Sequence, residues 1–166
     1  MTNHIVYITG ASGFIGTHLI EKLKETNMTI FPVSRKKINF KNLIIVKKYE
    51  ALNPKKNSIL VHLAEPNHIQ VAELKGQDFI DANMKVLLEL MKKKWKHIIY
   101  ISTALINESH KFNNHSLSKK NNFYIKSKLE CEKIVLKNNG TVLRVTNLYG
   151  PGMSKNNVFS EILKQL

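Results

Sequence analysis

Short apolar runs alternate along the chain with longer stretches whose apolar residues recur at helical spacing. The runs predict six strands, at residues 5–8, 28–33, 43–46, 59–63, 98–101 and 141–145. The periodic stretches predict helices at residues 14–24, 79–93 and 124–137. Because strands that are apolar throughout must be covered on both faces, this order predicts an α/β domain with a doubly wound, Rossmann-like parallel sheet. The polar stretch at residues 107–122 is predicted to be a loop.

The size of the chain fits one domain, which we expect to span residues 1–166. Its single cysteine, Cys131, excludes an internal disulfide, and no histidine stands at ligand spacing from it, so no metal site is expected. The longest apolar run is far too short to cross a membrane, and the N-terminus lacks the cationic region of a signal peptide. These features favour a cytoplasmic protein without a membrane partner.

The formal net charge of +14 raises the question of a nucleic-acid partner. However, the 26 basic residues include only two arginines, Arg35 and Arg144. Nucleic-acid readers favour arginine, because its planar guanidinium pairs bidentately with guanine edges and phosphates. A solvated lysine-rich surface is therefore the favoured interpretation and a polyanion-binding patch the less favoured one, while the positive field would also serve an acidic small-molecule substrate.

A glycine-rich turn, Gly10-Ala-Ser-Gly13-Phe-Ile-Gly16, joins the first predicted strand to the first helix. In such a turn the first glycine permits the tight bend, the second lets the backbone approach a pyrophosphate, and the third lets the helix sit close to the strand. The anion then lies at the helix N-terminus. We expect a dinucleotide site formed by Gly10, Ser12, Gly13, Phe14, Ile15 and Gly16; a plain structural turn is the alternative.

The end of the second predicted strand indicates which dinucleotide binds. An NAD site usually has an acidic residue there for the ribose hydroxyls, whereas this chain has Ser34-Arg35-Lys36. Hydroxyl and cationic groups suit a 2′-phosphate, so NADP is the expected cofactor, with NAD as the other candidate. A solvated basic turn without a ligand remains the alternative.

A second constellation is Tyr124-Ile-Lys-Ser-Lys128, which places Tyr124 and Lys128 one turn apart on the same face of a helix. A nearby ammonium favours the phenolate and so lowers the tyrosine pKa. The predicted strand at 98–101 ends in Ser102-Thr103, at the sheet edge where doubly wound folds bind ligands. The spacing alone is weak evidence in so lysine-rich a chain, but its position after the glycine turn strengthens it.

Together these residues resemble the extended short-chain dehydrogenase/reductases, also called the NAD-dependent epimerase/dehydratase family. The matching motifs, in chain order, are Thr9–Gly16, Val61-His-Leu-Ala64, Asn83, Ser102-Thr103, the pair Tyr124 and Lys128, and Arg144-Val-Thr-Asn147-Leu-Tyr-Gly-Pro-Gly152. The resemblance implies that Leu63, Ala64, Asn83 and Ser102 lie against the cofactor, together with Tyr124 and Lys128. It also implies substrate contacts from Thr103 and Asn147.

The function implied by the resemblance is NAD(P)-dependent chemistry at a sugar carbon of a nucleotide sugar: epimerisation, dehydration or reduction. Tyr124 would transfer the proton, Lys128 would hold the nicotinamide ribose and lower the tyrosine pKa, and Thr103 would hydrogen-bond the reacting oxygen. The alternative is a non-catalytic NADP-binding module or a remnant of such an enzyme.

Several features depart from the family pattern. Members usually run to roughly twice this length, so we expect a chain that lacks most of the substrate domain and turns over nucleotide sugars poorly. An open apolar surface around residues 145–149 and 158–166 would then favour a homodimer or aggregation. Finally, Glu65 follows Val61-His-Leu-Ala64 where a small residue is common.

Overall fold

A computed structural model describes residues 4–66, 69–109 and 122–153. Within them, six parallel strands form one sheet in the order β3-β2-β1-β4-β5-β6. The strands are β1 (Ile5–Thr9), β2 (Thr29–Ser34), β3 (Ile44–Ile45), β4 (Ile59–His62), β5 (His97–Thr103) and β6 (Thr141–Val145). The helices are α1 (Phe14–Leu23), α2 (Ile69–Lys75), α3 (Gln77–Met91), α4 (Leu105–Ser109) and α5 (Asn122–Lys137), with a 3₁₀ turn at Tyr49–Ala51. This is the predicted doubly wound α/β fold.

Alternation along the strands divides the core into two layers. On β1, Val6 and Ile8 face the side covered by α1, where Ile20 packs on them. Tyr7 faces the opposite side and packs with residues of β4, β5, α3 and α5, including Leu60, Ile98, Leu87 and Cys131. Because successive side chains of a strand point to opposite faces, strands that are buried on both sides must be apolar throughout, as the sequence pattern indicated.

The predicted elements are confirmed at their centres and differ at their ends. β5 is longer than predicted and includes Ser102 and Thr103, whereas the third strand shrinks to Ile44–Ile45. Helix α2 was not predicted; its seven residues are too few to establish a periodic pattern, and only Ala72 among them is buried. The predicted loop at 107–122 is wrong at its start, where α4 runs to Ser109; residues 110–121 lie outside the described part.

The sheet edge at β6 leaves apolar side chains open to solvent. Leu143, Leu148 and Tyr149 are all exposed, the last to 68 %. The open apolar surface expected near residues 145–149 is thus present, while its second expected part, residues 158–166, lies outside the described residues. Among the described helices, none is long and apolar enough to cross a membrane.

Candidate active site

The strand order places a ligand crevice between β1 and β4. The chain leaves β1 toward β2 and β3 on one side, and β4 then begins the other half of the sheet beside β1. At such a reversal the loops following the two strands diverge, and doubly wound folds bind ligands at this point, outside the carboxyl ends of the strands. The glycine turn follows β1 and Leu63-Ala64 follows β4, so both predicted cofactor segments lie here.

Two of the three glycines are required by close backbone contacts. Gly10 has φ +70°, and a Cβ there would lie 2.8 Å from the carbonyl carbon and oxygen of Leu63. A Cβ on Gly16 would lie 2.9 Å from the Cα of Ala11 and closer still to the carbonyl oxygen of Gly10. These two glycines therefore let the turn, the end of β4 and α1 approach one another.

The third glycine leaves the N-terminus of α1 open. Gly13 is the N-cap of α1, is exposed, and a Cβ there would meet only the carbonyl oxygen of Gly10, at 3.2 Å. No side chain caps the helix and no acidic residue stands in its first turn. The backbone N–H groups of the first turn and the positive end of the helix dipole are thus available to a phosphate, beside exposed Ser12 and half-buried Phe14 and Ile15.

The end of β2 presents two exposed cations beside the crevice. Arg35 and Lys36 are exposed, whereas Ser34 is 2 % exposed and its Oγ accepts the backbone N–H of Lys36 at 3.0 Å. Ser34 therefore shapes this turn, and the groups that face solvent are the guanidinium and the ammonium.

A buried hydrogen bond fixes the end of β4. Thr9 Oγ1 and His62 Nδ1 lie 2.7 Å apart, and the backbone N–H of Leu63 donates to the same Thr9 oxygen at 3.2 Å. Burial lowers the pKa of His62 to about 4, although the carboxylate of Glu65 opposes this, so the ring is neutral near pH 7. Thr9 at the end of β1 thus bonds both the ring of His62 and the backbone of Leu63, next to the glycine turn.

The three residues assigned to catalysis come together at the carboxyl end of β5. Thr103 ends β5, and Tyr124 and Lys128 lie on α5; all three side chains are buried, at 9 % exposure or less. Burial raises the pKa of Tyr124; the Lys128 ammonium lowers it, the Glu65 carboxylate raises it, and a hydrogen bond with Thr103 lowers it again. Two opposite charges, those of Lys128 and Glu65, therefore act on the tyrosine.

The structure also places Glu65 in this cluster. Its Oε2 accepts from Lys128 Nζ at 2.5 Å and from the hydroxyl of Tyr100 at 2.9 Å. Lys128 Nζ donates in addition to the carbonyl oxygen of Ile101, at 3.0 Å. Sequence reasoning did not assign Glu65 to the site; the available signal was its departure from the small residue expected after Ala64.

Other predicted residues lie around α5 or beyond it. Asn83 on α3 is buried and donates to Ser127 Oγ at 3.0 Å, so it contacts the helix that carries the tyrosine and lysine. Ser102 is buried on β5 at 2 % exposure, and Asn147 is exposed after β6. Arg144 pairs with Glu132 of α5 through two nitrogens, at 2.9 and 2.6 Å, which joins β6 to α5.

Comparison with protein families gives a match over residues 6–166 to the NAD dependent epimerase/dehydratase family. The chain belongs to this family. The match takes in strands β2 to β6 and all of β1 but its first residue, and it agrees with the resemblance carried by the sequence motifs. None of the curated proteins matches the chain.

Solved structures share the epimerase/dehydratase fold at low sequence identity. A UDP-N-acetylglucosamine 4-epimerase from Methanobrevibacter ruminantium M1, in complex with UDP-N-acetylmuramic acid, is 21 % identical with a TM-score of 0.70, over 99 % of this chain and 64 % of that one. RMD from Pseudomonas aeruginosa, complexed with NADPH, is 20 % identical with a TM-score of 0.72, over 98 % and 59 %. A UDP-glucuronic acid 4-epimerase from Bacillus cereus, in complex with NAD, is 16 % identical with a TM-score of 0.66, over 97 % and 62 %. The chain thus spans about 60 % of the length of these neighbours.

Proposed function

We propose that the chain carries the cofactor and proton-transfer site of an NAD(P)-dependent oxidoreductase that acts at a sugar carbon of a nucleotide sugar. The observation that carries the proposal is the juxtaposition of Thr103, Tyr124 and Lys128 beside the crevice that begins at the glycine turn. Epimerisation, dehydration and reduction at a sugar carbon would each require proton transfer at an oxygen, which this set of groups would perform.

The crevice fits a dinucleotide. The pyrophosphate would lie against the uncapped N-terminus of α1, where a side chain at Gly13 would point into open space apart from one carbonyl contact. Leu63 and Ala64 would form the wall opposite the turn. Arg35 and Lys36 supply cationic groups for a 2′-phosphate, which favours NADP over NAD.

Each catalytic side chain has a defined task in this proposal. The bound nicotinamide supplies a hydride acceptor or donor. Tyr124 in its phenolate form takes the proton from a sugar hydroxyl, and in the reducing direction its phenol returns one. Lys128 would stabilise the negative charge on Tyr124, and the hydroxyl of Thr103, which hydrogen-bonds Tyr124, would also hydrogen-bond the reacting oxygen.

The substrate class rests on three features. Two of the neighbours described above are named as epimerases of UDP-sugars. The strongly positive chain provides a field that attracts a diphosphate, and Asn147 presents an exposed amide at the end of β6. Because the chain spans about 60 % of its neighbours' length, we expect these 166 residues to turn over nucleotide sugars poorly.

The test compares Tyr124→Phe with a matched control, Tyr7→Phe, which removes a core hydroxyl bonded to the Lys55 backbone. We expect Tyr124→Phe to lower hydride transfer by about 10²–10⁴-fold while dinucleotide affinity, measured by calorimetry, stays nearly unchanged. Tyr7→Phe should keep both properties. Full turnover by Tyr124→Phe would refute the assignment.

A second candidate function is dinucleotide binding without turnover. The buried Glu65 carboxylate favours it, because a negative charge beside Lys128 and Tyr124 opposes formation of the phenolate. Tight dinucleotide binding by the wild type, with no hydride transfer to any UDP-sugar or keto-sugar across the pH range, would select this function.

A further inference from the structure

The proposed catalytic lysine is held in a buried ion pair. Lys128 Nζ and Glu65 Oε2 lie 2.5 Å apart, and their side chains are only 10 % and 5 % exposed. In this setting solvent screens the charges little, so the carboxylate acts strongly on every charge that forms beside the pair.

The hydrogen bonds of the ammonium limit what it can offer to other groups. Lys128 Nζ has three donor hydrogens; one is directed to Glu65 and one to the carbonyl oxygen of Ile101 at 3.0 Å. A single N–H therefore remains for Tyr124 or a ribose hydroxyl. The Lys128 ammonium also lies 4.9 Å from the centre of the Tyr100 ring, and the hydroxyl of Tyr100 donates to Glu65.

Charged and titratable groups surround Tyr124 and the pair from three elements. Tyr124 itself responds to Lys128 on its own helix and to Glu65 after β4. The pair is further faced by Tyr100 of β5, by the buried thiol of Cys131 on α5 and by His62 of β4, which is neutral near pH 7. The buried carboxylate of Glu132 on α5 also acts on Lys128, and its charge is paired with Arg144 of β6. Glu65 and Lys128 are thus the two charged groups near pH 7 that act on Tyr124, with opposite signs.

We propose that Glu65 is a positioning residue whose carboxylate binds the Lys128 ammonium in competition with Tyr124, and so sets the pH at which Tyr124 becomes a phenolate. This role rests on the proposed function, in which Tyr124 transfers the proton. Glu65 holds the lysine in place through the ion pair, and its charge keeps Tyr124 protonated to higher pH. The arrangement favours Tyr124 as a proton donor, which suits the reducing direction.

The informative variant is Glu65→Gln. Lys128 donates to Oε2 at 2.5 Å, and the Tyr100 hydroxyl lies 2.9 Å from Oε2 and 3.0 Å from Oε1. An amide oxygen in the Oε2 position therefore keeps an acceptor for both groups while the charge is lost, and the amide NH2 in the Oε1 position faces the Tyr100 hydroxyl oxygen, which can accept from it. The control is Glu130→Gln, which removes an equal charge from an exposed ion pair with Lys133 on the same helix. Glu65→Asp is the second variant, because its shorter side chain keeps the negative charge but places the carboxylate farther from the Lys128 ammonium.

The measurement is an ultraviolet titration of tyrosinate in the free protein, which needs neither substrate nor cofactor. Subtracting the same titration with Tyr124→Phe in each background isolates Tyr124 from the other tyrosines. Removal of Glu65's charge should lower the Tyr124 midpoint by on the order of one pH unit, since a charge within several ångströms moves a pKa by that amount. Glu65→Asp should shift the midpoint the same way by less, and Glu130→Gln should leave it in place.

An unchanged Tyr124 midpoint in both Glu65→Gln and Glu65→Asp would overturn the proposal, as would an equal shift in Glu130→Gln. A downward shift in the free protein supports it even if no substrate is turned over, so failure of the proposed function is recognised separately. Where turnover is measurable, the alkaline-rising limb of the oxidation rate should move to lower pH with Glu65→Gln, by the same amount as the tyrosinate midpoint.

Discussion

The close approach of Gly10 to the segment after β4 gives a quantitative prediction for Gly10→Ala. At φ +70° a side chain costs about 1–2 kcal/mol relative to glycine, whatever its surroundings. The added Cβ would also lie 2.8 Å from the carbonyl carbon and oxygen of Leu63 and 2.9 Å from the nitrogen of Ala64. Carbon atoms in ordinary contact are about 3.5–4.0 Å apart, so the backbone after β4 would have to move.

Such movement is opposed by the hydrogen bonds that fix this segment. The N–H of Leu63 donates to Thr9 Oγ1, which in turn contacts His62. Overpacking of this kind costs about 1–3 kcal/mol. With the backbone strain added, we expect Gly10→Ala to lower the free energy of unfolding by about 2–5 kcal/mol.

A second glycine separates the two contributions. Gly152 also has a positive φ, +81°, but a Cβ there would meet nothing within 4 Å. Gly152→Ala should therefore cost only the backbone strain, about 1–2 kcal/mol. Denaturant unfolding followed by the fluorescence of Trp95, which packs edge-on against Tyr7 in the core, measures both variants. Equal unfolding free energies for the two would refute the steric reasoning at the β1–β4 crevice.

Three further predictions concern charge. Arg35→Asp should reverse or erase a preference for NADP over NAD. If calorimetry at fixed salt gave equal affinities of the wild type for NADP and NAD, the assignment of Arg35 to a 2′-phosphate would be contradicted. His62 binds its proton at about pH 4 when folded and near 6.5 when unfolded, so the unfolded chain takes up the proton first as the pH falls. Stability should drop by about 3 kcal/mol between these pH values, and His62→Gln should flatten that part of a pH series of unfolding curves. Arg144→Met leaves the buried Glu132 carboxylate without its cation. Burial raises the pKa of Glu132, but its hydrogen bonds with Arg144 and Ser102 lower that pKa by more, so the pKa in the wild type is below its usual value. The variant should be less stable than the wild type at pH 7, and this difference should shrink as the pH falls through the lowered Glu132 pKa, because protonation of Glu132 breaks the ion pair in the wild type too. A difference in unfolding free energy that does not change with pH would contradict this prediction.

Local patterns in the sequence were sufficient for the fold and for most of the candidate site. The glycine turn could be recognised because a strand, a tight bend and a helix are neighbours in the chain. Gly10 and Gly16 are required by close contacts within a few residues or at the end of the adjoining strand. The position of Tyr124 and Lys128 on one face of α5 follows from their helical spacing, and their place after the glycine turn marked them as a candidate pair. Uniformly apolar strands separated by helices dictate a parallel sheet whatever the details of packing.

The tertiary structure decided which charges meet. Glu65 and Lys128 are 63 residues apart, and they pair because β4 lies beside β5 and α5 packs over both. The burial of Ser34, against the exposure of Arg35, likewise depends on how the turn after β2 bends back on itself. A sequence pattern records which residues are apolar and how they are spaced, whereas the strength of an electrostatic contact depends on distance and on exclusion of water. Both quantities are set only when distant segments pack together, so the sequence alone could point to the tyrosine and lysine but not to the carboxylate that binds the lysine.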